Sequence, residues 1–122
     1  MTSPDRVTIV EVGPRDGFQM EKVFLPTVLK VEVIDLLSEA GLTRIEATSF
    51  VSPRVIPQMA DADEVMSRIT RRSGTSYVVL VPNLKGATRA LAAKADALEV
   101  VIVASESYNQ RNVSMSVDES LA

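Results

Sequence analysis

The sequence predicts an α/β protein built from parallel βα units, and three observations carry that expectation. Four short apolar runs recur along the chain, at 7–12 (VTIVEV), 43–47 (TRIEA), 77–81 (YVVLV) and 98–104 (LEVVIVA). Segments with helical spacing of apolar residues lie between them. The third and fourth runs are nearly continuous and rich in β-branched residues, as strands buried on both faces of a parallel sheet are. An order β-α-β-α-β-α-β implies right-handed parallel crossovers.

Each helix has its own signals. In 27–40, Leu29, Val33, Leu36, Leu37 and Ala40 recur at three- and four-residue spacing, and Gly41 follows as a residue that accepts positive φ at a helix C-terminus. From Asp61, the pattern Asp61-x-x-Glu64 reads as a capping box, with Ala62, Val65, Met66 and Ile69 as an apolar stripe. A third helix is predicted from Asn83 through Ala87, Ala90, Leu91 and Lys94. Ser116-x-x-Glu119 is a second capping box, predicting a helix that opens just before the sequence stops at Ala122. Domains rarely end inside the first turn of a helix, so the sequence reads as part of a larger unit. The alternative is a small α/β domain with a frayed tail.

Composition narrows the function classes. The chain has 122 residues, enough for one domain with a modest core, and its 46% hydrophobic and 24% charged residues are ordinary globular usage that argues against disorder. A net charge of −3 argues against nucleic acid as a partner. With no Cys and no His, disulfides, thiolate zinc sites and Ser-His or Cys-His catalysis are excluded within these residues, and any metal here needs oxygen ligands. No apolar run approaches the roughly 20 residues that span a bilayer. MTSPDR has no apolar segment behind it, so a soluble cytoplasmic protein is expected. Neither G-x-G-x-x-G nor a Walker loop is present, which leaves phosphate-cradling chemistry without direct support.

In parallel α/β folds the chemistry gathers after the strands, on the βα loops. After the first run comes Gly13-Pro14-Arg15-Asp16-Gly17-Phe18-Gln19. Asp16 offers a hard oxygen for Mg²⁺ or Mn²⁺, and Arg15 a planar cation for a carboxylate or a developing enolate. The plainer reading is an Arg–Asp pair that stabilises a tight turn. Glu11 shares a face with Gly13 and Arg15 if the first strand runs through them. Glu46 interrupts the second run, and a carboxylate on a buried strand must be paired. Both glutamates either build a polar site or simply pair with a nearby Arg or Lys. Ser49 after the second strand either contacts substrate or caps the next segment, and Asn83 after the third is either an N-cap or a site residue. Ser105, Glu106, Ser107, Asn109 and Asn112 after the fourth are polar but individually uninformative.

Four segments together resemble a known family. They are VEVGPRDGFQMEK at 10–22, GLTRIEATSFVSPRVIPQMAD at 41–61, VPNLKG at 81–86 and ASESYNQRN from Ala104. They closely resemble the hydroxymethylglutaryl-CoA lyase family, within the wider group of metal-dependent barrel lyases. The resemblance runs from about residue 7 to 122, and the GPRDG turn combined with TSFVSP and PQM is highly specific. It implies that residues 1–122 form the N-terminal half of a (β/α)₈ barrel, ending after the fourth strand. It also implies cleavage of 3-hydroxy-3-methylglutaryl-CoA to acetyl-CoA and acetoacetate, as in leucine degradation and ketone-body formation, with a divalent cation and an acyl-CoA partner. By position, Asp16 resembles the metal-ligand aspartate, Arg15 the arginine at the enolate oxygen and Glu46 a glutamate close to the metal. Gln19, Ser49 and Asn83 fall at substrate-binding positions, and Glu11 at a further polar one. A homo-oligomer fits this family.

The sequence also departs from the family. Its remaining metal ligands, a His-x-His pair and a later Asn, and its catalytic Cys lie beyond the fourth strand. Met20 is unusual in the turn, and 101–107 is about two residues short. A related Claisen-type synthase usually carries a TLRDGEQ-like turn, which Gly13, Pro14 and Phe18 argue against. A non-catalytic or degenerate half-barrel is the reading from a different class. In either case the 122 residues alone are expected to be inactive, to bind Mg²⁺ weakly and to expose an open sheet edge.

Overall fold

In the computed structural model, residues 5–122 are described. Helices α1 (Thr27–Glu39), α2 (Ala62–Arg68) and α3 (Leu84–Ala92) alternate with strands β1 (Arg44–Ser49), β2 (Ser76–Leu80) and β3 (Ala97–Glu99), and α4 (Glu106–Val113) and α5 (Val117–Leu121) follow. A single π-helical turn, Gly13–Gly17, precedes α1, and a short 3₁₀ turn, Pro57–Met59, precedes α2. The three strands pair in parallel in the order β1-β2-β3. The α/β class and the parallel crossovers are therefore as the sequence predicts.

The core lies between one face of the sheet and the helices. Ile45, Ala47, Tyr77, Val79 and Val81 meet Ile34 of α1, Ala62, Val65 and Met66 of α2, Ile69 just beyond it and Ala90 of α3. The predicted stripe of α2 is thus the buried one. Gly41 has φ +92°, as a left-handed residue closing α1 requires. Both arms of the second capping box form at α5: Glu119 N–H donates to Ser116 Oγ at 3.1 Å, and Ser116 N–H to Glu119 Oε2 at 2.8 Å.

Several expectations are corrected. The run at 7–12 is not a strand but one parallel bridge, Glu11 to Ile45, held by Glu11 N–H on Arg44 O and Glu46 N–H on Glu11 O. The fourth run is regular only at Ala97–Glu99, and Val100, Val101 and Ile102 lie exposed beyond it. Both runs sit at an edge with a sheet neighbour on one side only, so half of each ladder has no partner among the described residues. Asp61 does precede α2, but its side chain makes no cap bond. Its carboxylate goes instead to Lys30 Nζ at 2.7 Å and Thr27 Oγ1 at 2.8 Å, because a nearly buried ammonium needs an anion more than a helix terminus does.

The face of α1 is rotated from the predicted stripe. Lys30, Ile34 and Ser38 are buried and Leu37 packs against the core as expected, whereas Leu29, Leu36 and Ala40 are exposed. The paired ammonium of Lys30 made this face unreadable from apolar spacing. In α3, Ala87 and Ala90 pack as expected, but Leu91 is exposed and Lys94 lies past the helix with φ 58°. Apolar spacing does not predict helix α4, since 106–113 has no apolar stripe. Its start is set by Ser105, whose Oγ accepts from Tyr108 N–H, and its end by left-handed Ser114. Among the described residues no helix is long and apolar enough to cross a membrane.

The rotated face gives a direct test. Ile34→Ala is expected to destabilise the fold by about 3 kcal/mol, the usual loss for a truncated core aliphatic. Leu36→Ala should cost less than about 1 kcal/mol, as at other surface positions. Urea denaturation of both variants checks this, and a larger loss at Leu36 would restore the face drawn from the sequence.

Candidate active site

The site is assembled at the C-terminal end of β1, and an irregularity in that strand makes it. Glu46 pairs with Val78 in register, but Thr48 pairs with Val79, so Ala47 is an extra residue in β1. In a regular strand Glu46 and Ser49 would point to opposite faces. The bulge resets the alternation. Glu46 and Ser49 therefore both serve the side of the sheet away from the helices, where Glu46 meets Arg15 and Ser49 lines a cleft with it.

Arg15 comes from the turn that crosses this strand end. The turn is one loop of π-helix, with Arg15 and Asp16 N–H both bonded to Val12 O and Pro14 buried beneath. Its entry is stapled by Glu11, whose Oε1 accepts from Gly13 N–H at 2.8 Å. A Cβ on Gly13 would stand 2.9 Å from that oxygen, so a larger residue would push the Glu11 carboxylate off this bond. Glu11, Gly13 and Arg15 do not share a strand face, since 13–17 is helical. The Glu11 carboxylate shapes the turn and does not line the cleft.

The guanidinium of Arg15 grips Glu46 through both nitrogens of one edge, Nε to Oε1 at 2.6 Å and Nη2 to Oε2 at 3.3 Å. Its remaining nitrogen, Nη1, donates to Asp16 Oδ1 at 3.1 Å. The Glu46 side chain is 1% exposed and that of Asp16 59%. Burial pushes the Glu46 carboxyl above the ordinary value of 4.5, the Arg15 contact opposes this, and the nearby Glu99 carboxyl adds to the rise. The pair is thus a charge-assisted fork in a partly dry setting.

Beside it opens a cleft of about 330 Å³ that collects Arg15, Gln19 and Ser49 of the expected site. Its apolar walls are Val51, Val55 and Ile56 after β1, Val81 and Pro82 after β2, and Val101 and Val103 after β3. Tyr108, Asn112 and Val113 of α4 close one side. Gln19 Oε1 is buried in the structure without a hydrogen-bond partner, an acceptor left for a ligand or water. Ser49 Oγ reaches Leu80 O at 3.3 Å. Asn83 stands apart from the cleft, with its Oδ1 accepting from Gly86 N–H at 2.9 Å as the N-cap of α3.

Sequence reasoning missed Tyr108 and Glu99, and it left Asn112 without a role. The Ser105 cap was the one signal for the helix that carries Tyr108 and Asn112. Glu99 reaches Glu46 across β2, a contact that no spacing announces. For a divalent cation, Asp16 is the fitting donor, a hard and accessible carboxylate. Glu46 is committed to Arg15, and among the described residues no three acidic groups converge into a metal cluster. Asp16 therefore fits as one ligand of a larger set.

A parallel sheet with its helices on one face, and a charged pair at the strand ends on the other, defines the opening part of a (β/α)₈-barrel protein. The chain belongs to the HMGL-like family, whose family model matches residues 6–122. It is 55% identical over 118 residues to the mitochondrial hydroxymethylglutaryl-CoA lyase of Gallus gallus, covering 97% of this chain and 40% of that protein. It is 53% identical to the cytoplasmic 3-hydroxy-3-methylglutaryl-CoA lyase of Rattus norvegicus, covering 97% of this chain and 34% of that protein. The HMG-CoA lyase of Brucella melitensis superimposes with a TM-score of 0.92 at 50% identity, over 97% of this chain and 42% of that one. The chain thus spans about 40% of the length of such relatives and matches the N-terminal part of an HMG-CoA lyase barrel.

The Arg15–Glu46 pair makes a prediction with a definite sign. Because the native state holds the Glu46 proton more tightly than the unfolded chain, Glu46 contributes most stability below pH 4.5. That contribution is lost as pH rises through its folded value. Arg15→Met removes what opposes the rise, so the Glu46 carboxyl should titrate still higher, measured by carbon-detected NMR. An unchanged or lowered titration would show that the arginine does not control it.

Proposed function

We propose that the polypeptide carrying these residues is a metal-dependent carbon–carbon lyase that cleaves 3-hydroxy-3-methylglutaryl-CoA to acetyl-CoA and acetoacetate. Residues 1–122 are its first half-barrel. The observation that carries this reading is the Arg15 fork, fixed on Glu46 beside Asp16 at the mouth of an apolar-walled cleft. A relative from Acinetobacter baumannii, 46% identical with a TM-score of 0.93, is described in complex with coenzyme A and 3-methylmalate, which supports an acyl-CoA ligand.

The reaction breaks one carbon–carbon bond. The tertiary hydroxyl gives up its proton to a base, and its oxygen electrons form the ketone of acetoacetate. The bonding pair passes to the thioester, leaving the enolate of acetyl-CoA, which is then protonated. Negative charge therefore moves onto the thioester oxygen, and a fixed guanidinium such as Arg15 favours that movement. Glu46 holds the guanidinium in place. Gln19 and Ser49 hydrogen-bond the acyl portion, and the valine walls exclude water around its methyl group. A divalent Mg²⁺ or Mn²⁺ held in part by Asp16 would acidify the hydroxyl and hold the substrate's oxygens. Glu11 and Asn83 act one step removed, through the turn and the start of α3.

A non-catalytic half-barrel is the second reading, favoured by the lack of any converging set of three metal-ligating side chains among the described residues. Rat relatives include both mitochondrial and cytoplasmic lyases, and a cytoplasmic enzyme is our proposal. We also propose that it is a homo-oligomer and takes neither nucleic acid nor membrane as partner. The test joins residues 1–122 to the remaining length of the Brucella lyase. The 122 residues alone should show no turnover of 3-hydroxy-3-methylglutaryl-CoA, and the chimeric barrel should turn it over in the presence of Mg²⁺. Arg15→Met in the chimera should lower kcat by about 100-fold, the usual loss when one charge-stabilising donor is removed. A folded chimera without activity would favour the non-catalytic reading.

A further inference from the structure

Between the Arg15-bearing turn and α1 runs a segment, 20–25, whose residues Met20 to Phe24 are all exposed. Among the described residues, one hydrogen bond joins this segment to the protein beyond its own turn. Gln58 Nε2 donates to Glu21 O at 2.9 Å. Gln58 is itself held from behind, because its backbone carbonyl accepts from Lys30 Nζ at 2.5 Å. Lys30 is 3% exposed and is paired with Asp61, whose second oxygen accepts from Thr27 Oγ1. The Phe24 ring sits 4.2 Å from the same ammonium. Phe24 thus holds the far end of the segment to this buried anchor, and Gln58 ties its near end, beside the Arg15 turn, to the same anchor.

The consequence falls on the cleft. Glu21 lies two residues after Gln19 and Gln58 two residues after Ile56, and both Gln19 and Ile56 line the cleft. No hydrogen bond among the described residues fixes Gln19 Oε1, so its place depends on the backbone that carries it. We infer that Gln58 is a positioning residue, whose tie to Glu21 sets where Gln19 stands opposite Ile56 and so how the cleft receives the acyl portion of its ligand. This rests on the lyase reading of that cleft.

Two variants test it. Gln58→Met keeps the length and loses the donor, and Gln58→Lys restores a donor of similar reach. In the 122-residue chain, Gln58→Met should speed hydrogen–deuterium exchange across 20–25 and leave 44–49 unchanged. In the chimeric barrel it should raise KM for 3-hydroxy-3-methylglutaryl-CoA about fivefold, the factor that one hydrogen bond's ordinary worth supplies, with kcat little changed. Gln58→Lys should return both readings toward wild type. Unchanged exchange at 20–25, acceleration spread over the whole chain, or faster local exchange with unaltered KM would each overturn the proposal. A wild-type chimera without turnover would sink the lyase reading instead, and the exchange comparison would still decide whether the tether exists.

Discussion

The structure depends most on the pairing of Arg15 with Glu46. A carboxylate on a strand buried to 1% exposure is costly unless a cation meets it, and removing either partner leaves the other stranded in a poor solvent. The pair joins the first turn of the chain to β1 across 31 residues of sequence. Around it the other constraints follow. The turn must bring a guanidinium over the strand end, so it coils as one π-helical loop. The strand must aim Glu46 and Ser49 to one side, so it bulges at Ala47.

A second ion pair performs the same service on the helix side. Lys30 and Asp61 join α1 to the segment that opens α2, again with both partners shielded from water. Their effect differs from that of the first pair. Arg15 lines the cleft and turns its third nitrogen to the exposed Asp16 carboxylate, whereas Lys30 is enclosed by Gln58, Asp61 and the Phe24 ring. One pair leaves charge accessible for chemistry, and the other spends its charge on holding two loops in register.

The same two pairs explain how far the sequence could be read. Elements whose apolar residues follow the period were legible: β1, β2 and the stripe of α2 needed only burial and spacing. The local box at Ser116 and Glu119 formed because nothing competes for either side chain. The similar pattern at Asp61 failed because Lys30, 31 positions earlier, claims the carboxylate, and such competition is invisible in a local window. Arg15, Gln19 and Ser49 could be placed in one site because motif resemblance supplied the three-dimensional proximity. Tyr108 sits in a segment that resembles the family without a role of its own, and Glu99 carried no motif; α4 brings the first to the cleft and the sheet order the second to Glu46. Asn83 and Glu11 show the reverse, residues with functional spacing whose side chains satisfy backbone amides.

The apolar surface left on these residues completes the picture. Val7 and Ile9 at one edge, and Val100, Val101 and Ile102 at the other, are as hydrophobic as the core strands yet stand exposed. A parallel sheet is stable when both faces and both edges are covered. The side of the sheet away from the helices carries Glu46, Ser49 and Leu80, with a charged pair and an open cleft where a closed barrel has its interior. Relatives more than twice as long as this chain have the length to cover those edges and that interior. The site is then divided between the halves. In the lyase reading proposed above, Arg15 supplies the cation that meets developing negative charge, and Asp16 offers an exposed carboxylate beside it. That single carboxylate is too few for a tight Mg²⁺ site. The remaining ligands of such a metal site would come from the strands that close the barrel.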